Sequence, residues 1–171
     1  MIKVALLLLA MAIPAATQDV AAPHVFVSQA CGFRVELPAD WKIRSSRSKK
    51  CGFTVILGNK AADEGLDLVV RDGNLDPGAN NIGFAKDTGK WMLTGEETVE
   101  AVGIESKSWV GLQGTVGSRI YEHGHYSGFG DQTRALLFDR GHRIAEVMCF
   151  SGEEAVPRLV KGFEFLTASK H

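Results

Sequence analysis

The chain has 171 residues, 45% of them hydrophobic, with 19 Lys and Arg against 20 Asp and Glu and a formal charge of −1. A balance this near neutral excludes recognition of nucleic acid or of an anionic membrane by bulk charge, and the length suits one domain around one core. The 19 glycines and five prolines suit a turn-rich antiparallel protein.

The chain opens MIKVALLLLAMAIPAATQD. One lysine precedes an apolar run from Val4 to Ile13, and small residues follow. This is the pattern of a secretory signal peptide. The run is too short to cross a bilayer, which needs about 20 apolar residues. Residues 1–16 are therefore expected to be a signal peptide cleaved near Ala16, and 17–171 a single domain. No later stretch is long and apolar enough to span a membrane. The mature chain is expected to be soluble and periplasmic or secreted, in an oxidising compartment.

Residues 31–37 read CGFRVEL and residues 51–57 read CGFTVIL. In the first, Phe33, Val35 and Leu37 alternate with Arg34 and Glu36, the period of a half-buried strand. Pro38 ends it, because proline has no N–H for a ladder. A short alternation at Trp41-Lys-Ile43-Arg follows, then a polar, basic loop from Ser45 to Lys50. The second frame repeats the facing pattern, with Ile56 making its other face partly apolar. Leu66 to Arg71 reads as a strand, and 72–82 as a loop. The spacing of Ile82, Ala85, Trp91 and Met92 predicts a helix over 82–93, against the cost of Gly83 and Gly89. Strands are expected at 97–104, 107–113, 117–123, 132–139 and 142–150, the last two joined by a tight Arg140-Gly141 turn. Ser151-Gly-Glu-Glu154 matches the S-x-x-E capping box, predicting a helix to about Gly162, with Pro157 a poor fit inside it. Phe163-Glu-Phe165 closes the chain as a strand. Blocks of antiparallel strands with helices packed on them indicate an α+β fold, with most of the mature chain in a single antiparallel layer.

The opening G-F-x-V-x-L-P-x-x-W (Gly32 to Trp41) resembles the entry segment of the PsbP-like (Mog/PsbP/DcrB-like) family. The C-terminal part is similar too: a hairpin around Asp139-Arg-Gly141, a short helix, then Gly162-Phe-Glu-Phe165. The resemblance covers the two ends of the chain and the middle only loosely. It implies a curved antiparallel sheet flanked by helices, a PsbP-like α/β/α sandwich. The family's roles are mostly non-catalytic: extrinsic photosystem subunits, a Ran-binding factor, envelope proteins of obscure purpose. No catalytic residue set comes with it.

Three cysteines in an exported chain imply one bridge and one thiol. Cys31 and Cys51 each precede a strand of the same facing pattern, so both are expected at one rim of the sheet, and Cys31–Cys51 is the expected disulfide. Cys51–Cys149 is the alternative, with Cys149 otherwise a buried thiol in phase with Ala145 and Val147. Lys49 and Lys50 would favour a reactive Cys51 thiolate, but no C-x-x-C is present.

His123-Gly-His125 would project from one face of a strand, with Asp131 and His142 as possible further ligands. A zinc site needs three or four ligands and spacing secures only two, so a solvated hairpin end is the plainer reading. Gly111-x-x-Gly114-x-x-Gly117 lacks the G-K-[ST] ending of a phosphate loop and reads as close strand packing. Ser46-x-x-Lys49 matches the serine–lysine spacing of penicillin-recognising enzymes without its companion motifs. Arg44, Arg47, Lys49 and Lys50 form a small basic loop that could dock an acidic partner or a lipid headgroup, a solvated loop being the plainer reading. Trp41, Trp91 and Trp109 could line a ligand cleft, but are expected in the core, where large rings contribute most. Together these features point to an exported, soluble, non-catalytic binding module with an envelope or extracellular protein partner and no cofactor. A small-molecule or metal-binding protein using His123 and His125 is the alternative. A hydrolase has only chance spacings behind it.

Overall fold

The two CGFxVxL frames become strands of different sheets, which meet across one core. The computed structural model describes residues 22–46, 50–58, 65–74, 80–94, 98–122, 125–150 and 154–167. In chain order the first elements are β1 (His24–Ser28), β2 (Phe33–Leu37), β3 (Lys42–Ser45), β4 (Gly52–Ile56) and β5 (Gly65–Asp72). Then come β6 (Ile82–Ala85), β7 (Lys90–Thr94), β8 (Thr98–Glu100) and β9 (Val102–Glu105). The long β10 (Trp109–Glu122) and β11 (His125–Asp139) precede β12 (Arg143–Cys149), α1 (Ala155–Lys161) and β13 (Phe163–Phe165).

A seven-stranded antiparallel sheet runs β3-β4-β5-β12-β11-β10-β9, and two three-stranded sheets, β1-β2-β13 and β6-β7-β8, pack on it. Residues 135–138 (ALLF) show how one strand serves both faces. Ala135 and Leu137 enter a core with Phe33, Val35, Phe163 and the α1 residues Val156 and Leu159. Leu136 and Phe138 enter a second core with Ile82, Leu93 and Val116. Side chains alternate along a strand, so a strand apolar at every position is one covered on both sides.

These contacts correct the expected α+β architecture. The chain is mostly β, with one helix among the described residues, and three antiparallel sheets replace the single sheet flanked by helices. The predicted 82–93 helix is the β6–β7 hairpin, paired Ile82↔Leu93 and Phe84↔Trp91. Gly89 decides it: its φ of +70° is a turn conformation that glycine adopts without strain, and its N–H is donated to the Ala85 carbonyl at 2.8 Å. The hairpin takes the place where a second helical layer was expected.

Three other boundaries differ. The predicted strand 97–104 is divided at Ala101 into β8 and β9, which belong to different sheets. The predicted strands 107–113 and 117–123 are one strand, β10, and 132–139 extends back to His125. Gly111 is what lets β10 lie against β11, because a Cβ there would stand 2.4 Å from the Leu136 carbonyl oxygen. The last helix begins after Glu154, which makes no side-chain cap bond; Ser151 of the S-x-x-E match lies outside the described residues. Pro157 falls in the first turn, where its missing N–H has no intrahelical partner to lose.

Arg143 ties the ends of the chain together. It pairs with Asp139 and donates to the carbonyls of Gly32 at 2.6 Å and Leu166 at 2.8 Å. Its guanidinium also lies 5.0 Å from the Phe165 ring centroid.

Candidate functional site

Cys31 and Cys51 form a disulfide, with Cα atoms 5.6 Å apart. It joins the approach to β2 in one sheet to the approach to β4 in another, where a rim of one sheet was expected. Cys149 is a buried thiol outside that bridge.

Of the paired histidines, His123 lies outside the described residues. His125 is exposed at the start of β11, in register with Glu122. His142 follows the other end of β11, which at about 3.3 Å per residue puts it roughly 45 Å away. Asp131 lies on the same strand as His125, six positions on, or about 20 Å. Neither joins His125 in one site. Among the described residues no three His, Cys, Asp or Glu side chains are grouped to hold a metal ion. Arg47 and Lys49 lie outside the described residues, which leaves exposed Arg44 and Lys50 of the basic loop, and takes the Ser46–Lys49 spacing out of view.

Trp41 and Trp109 are core residues, each 5% exposed. The Trp109 indole N–H donates to the Phe163 carbonyl at 2.9 Å. Trp91 is different. It is 37% exposed, and its cross-strand neighbour Phe84 is 50% exposed, with ring centroids 5.2 Å apart. By strand alternation these rings share the face of buried Ile82 and Leu93, the face the hairpin turns toward the central sheet. On that face the exposure rises from Ile82 and Leu93 to Trp91 and Phe84, toward the turn of the hairpin.

Beneath Trp91 lies a groove of about 460 Å³ lined also by Gly103, Ile104, Glu105, Val110, Leu112 and Phe138. A Cβ on Gly103 would meet nothing within 4 Å, so the missing side chain is part of the opening. Val110, on β10 and in the groove wall, is 53% exposed. An apolar concavity with one carboxylate at its margin is the form of a binding groove. A second cleft of about 650 Å³ is lined by Glu36, Asp40, Arg158 and Lys161 among others. Its opposite charges offset one another, and Arg158 is engaged over the Trp41 ring at 5.5 Å. The Trp91 groove was missed in the sequence because its wall was read as a helix. The alternation of Ile82, Phe84, Trp91 and Leu93 about a glycine turn was the available signal.

The structure is similar to the solution structure of cyanobacterial PsbP (CyanoP) from Synechocystis sp. PCC 6803. The match has a TM-score of 0.50 and 11% sequence identity, and covers 87% of this chain and 95% of that one. The fold is PsbP-like. At this identity the likeness extends to the fold of the PsbP-like chain and not to a function. No family model matches its sequence, and no curated protein does. Among the described residues of this PsbP-like chain, no helix is long and apolar enough to cross a membrane.

Proposed function

We propose that the chain is an exported, non-catalytic binding module, and that the Trp91 groove is its capture surface for an apolar group of an envelope or extracellular protein. The signal-peptide pattern and the disulfide support export. The observation that carries the groove is the ring of Trp91 at its wall, 37% exposed and in an edge-to-face pair with the half-exposed Phe84. Burying exposed apolar surface contributes about 25 cal/mol per Å², and aromatic side chains dominate binding hot spots.

The test is titration of the mature protein with the apolar dye 1-anilinonaphthalene-8-sulfonate. Saturable emission enhancement is expected, weakened by Trp91→Ala and abolished by Gly103→Leu, which fills the groove. Dye binding unchanged by both substitutions would dismiss the groove as the capture surface.

A further inference from the structure

The edge of β9 beside the groove carries a second feature that the apolar lining does not explain. In the β9–β10 pairing Glu105 faces Val110, Ile104 faces Gly111, Gly103 faces Leu112 and Val102 faces Gln113. The Ser106 N–H donates to the Trp109 carbonyl at 2.9 Å. Antiparallel strands turn alternate residues' backbone groups to opposite sides. Val102 and Ile104, in phase with Ser106, therefore bond β10, while Gly103 and Glu105 direct their N–H and C=O groups away from it. Ala101 has the same phase as Gly103, and its N–H is donated to the Trp91 carbonyl of β7 at 2.8 Å. So β7 occupies this side as far as Ala101. It begins at Lys90, after a turn that carries the chain away, and among the described residues no strand continues the ladder beside Gly103 and Glu105.

We propose that this gap takes one extended segment of a protein partner, added to the edge of β9 in line with β7, with an apolar side chain over Gly103 into the groove and a basic side chain beside Glu105. The backbone groups select the occupant: an extended polypeptide offers alternating donors and acceptors at strand spacing, which an apolar small molecule does not. The charge selects its composition. Glu105 is exposed and has no ion pair among the described residues. A second copy of this chain fits less well, because antiparallel pairing of Gly103 with the mate's Glu105 brings two carboxylates within two positions of each other.

The inference rests on the groove reading, and the two fail separately. The experiment is a titration of the mature protein, followed by amide chemical shifts, with a capped hexapeptide of alternating valine and lysine and with its valine–glutamate counterpart. Expected are shifts centred on Gly103, Glu105 and Trp91, slowed amide exchange at Gly103 and Glu105, and preference for the lysine peptide. Gly103→Pro removes an outward N–H that no described strand uses, and should weaken binding about tenfold or more at unchanged circular dichroism. N-methylation of the peptide backbone should do the same without altering the protein. Glu105→Lys should reverse the charge preference. Dye bound in the groove with no peptide shifts at Gly103 and Glu105 overturns strand addition and leaves the groove reading standing. Peptide binding indifferent to backbone N-methylation overturns it as well. So does a concentration-dependent dimer lost in Gly103→Pro, which would assign the edge to a second copy.

Discussion

Phe33 and Phe53 hold the same place in two copies of one seven-residue frame, yet they belong to opposed sheets, with ring centroids 5.2 Å apart in an edge-to-face pair. Two residues before each ring, Cys31 and Cys51 close the disulfide. The repeated frame thus builds a covalently joined corner between layers, with Phe26 packed on both rings and Phe163 stacked on Phe33.

The disulfide should matter to stability. It closes a loop of 20 residues, worth about 3 kcal/mol in the chain-entropy account. The double variant Cys31→Ser/Cys51→Ser should lose about that much in urea unfolding. Thiol counting in denaturant should find only Cys149 before reduction and all three cysteines after it.

Removing Arg143 strands several partners at once. Arg143→Met leaves the Asp139 carboxylate, 5% exposed, without its cation and the Leu166 carbonyl without the guanidinium donor, while the Gly32 carbonyl loses Arg143 but keeps the Leu166 N–H. A loss of about 3 kcal/mol is expected. Arg143→Lys should recover only part of it, because an ammonium cannot reproduce a planar fork reaching three acceptors. Unfolding curves of the two variants provide the comparison.

Trp109→Phe removes the N–H that satisfies the Phe163 carbonyl while keeping most of the ring. Destabilisation of about 1–3 kcal/mol is expected. Trp109→Ala should cost about 3–5 kcal/mol, since a cavity is added.

Arg34 and Glu164 face each other across β2 and β13, joined by a 2.8 Å hydrogen bond. That bond holds the Glu164 carboxyl below its ordinary range, against a partial opposing effect of burial and with the charges of Arg34 and Lys107 assisting. A lowered folded-state value gives stability that is present above the unfolded carboxylate range and lost as pH falls through the folded value. Both side chains are half-exposed, so the effect is small and screened by salt. Stability of Glu164→Gln should therefore fall slightly less than wild type on acidification, and the difference should vanish in high salt.

Trp91 should dominate quenching by acrylamide, because Trp41 and Trp109 are buried. Trp91→Phe should remove most of the quenchable emission and shift the remainder to the blue.

Alternation in residues 33–37, 53–57, 66–71 and 142–150 was enough to place β2, β4, β5 and β12, since a strand with one apolar face announces itself by period two. The β11–β12 hairpin and the closing Phe163–Phe165 strand were equally legible, because their signals are local. Which sheet each strand joins was not, for period two says that a face is buried and not what buries it. That is why Phe33 and Phe53 were assigned to one layer, and why the inner face of the β6–β7 hairpin was taken for one side of a helix. The groove had even less signal, because its carbonyls and amides at Gly103 and Glu105 are chemically those of any strand. Only the point at which β7 turns away leaves them without a neighbouring strand among the described residues, and that is decided by how the β6-β7-β8 sheet packs on the central one.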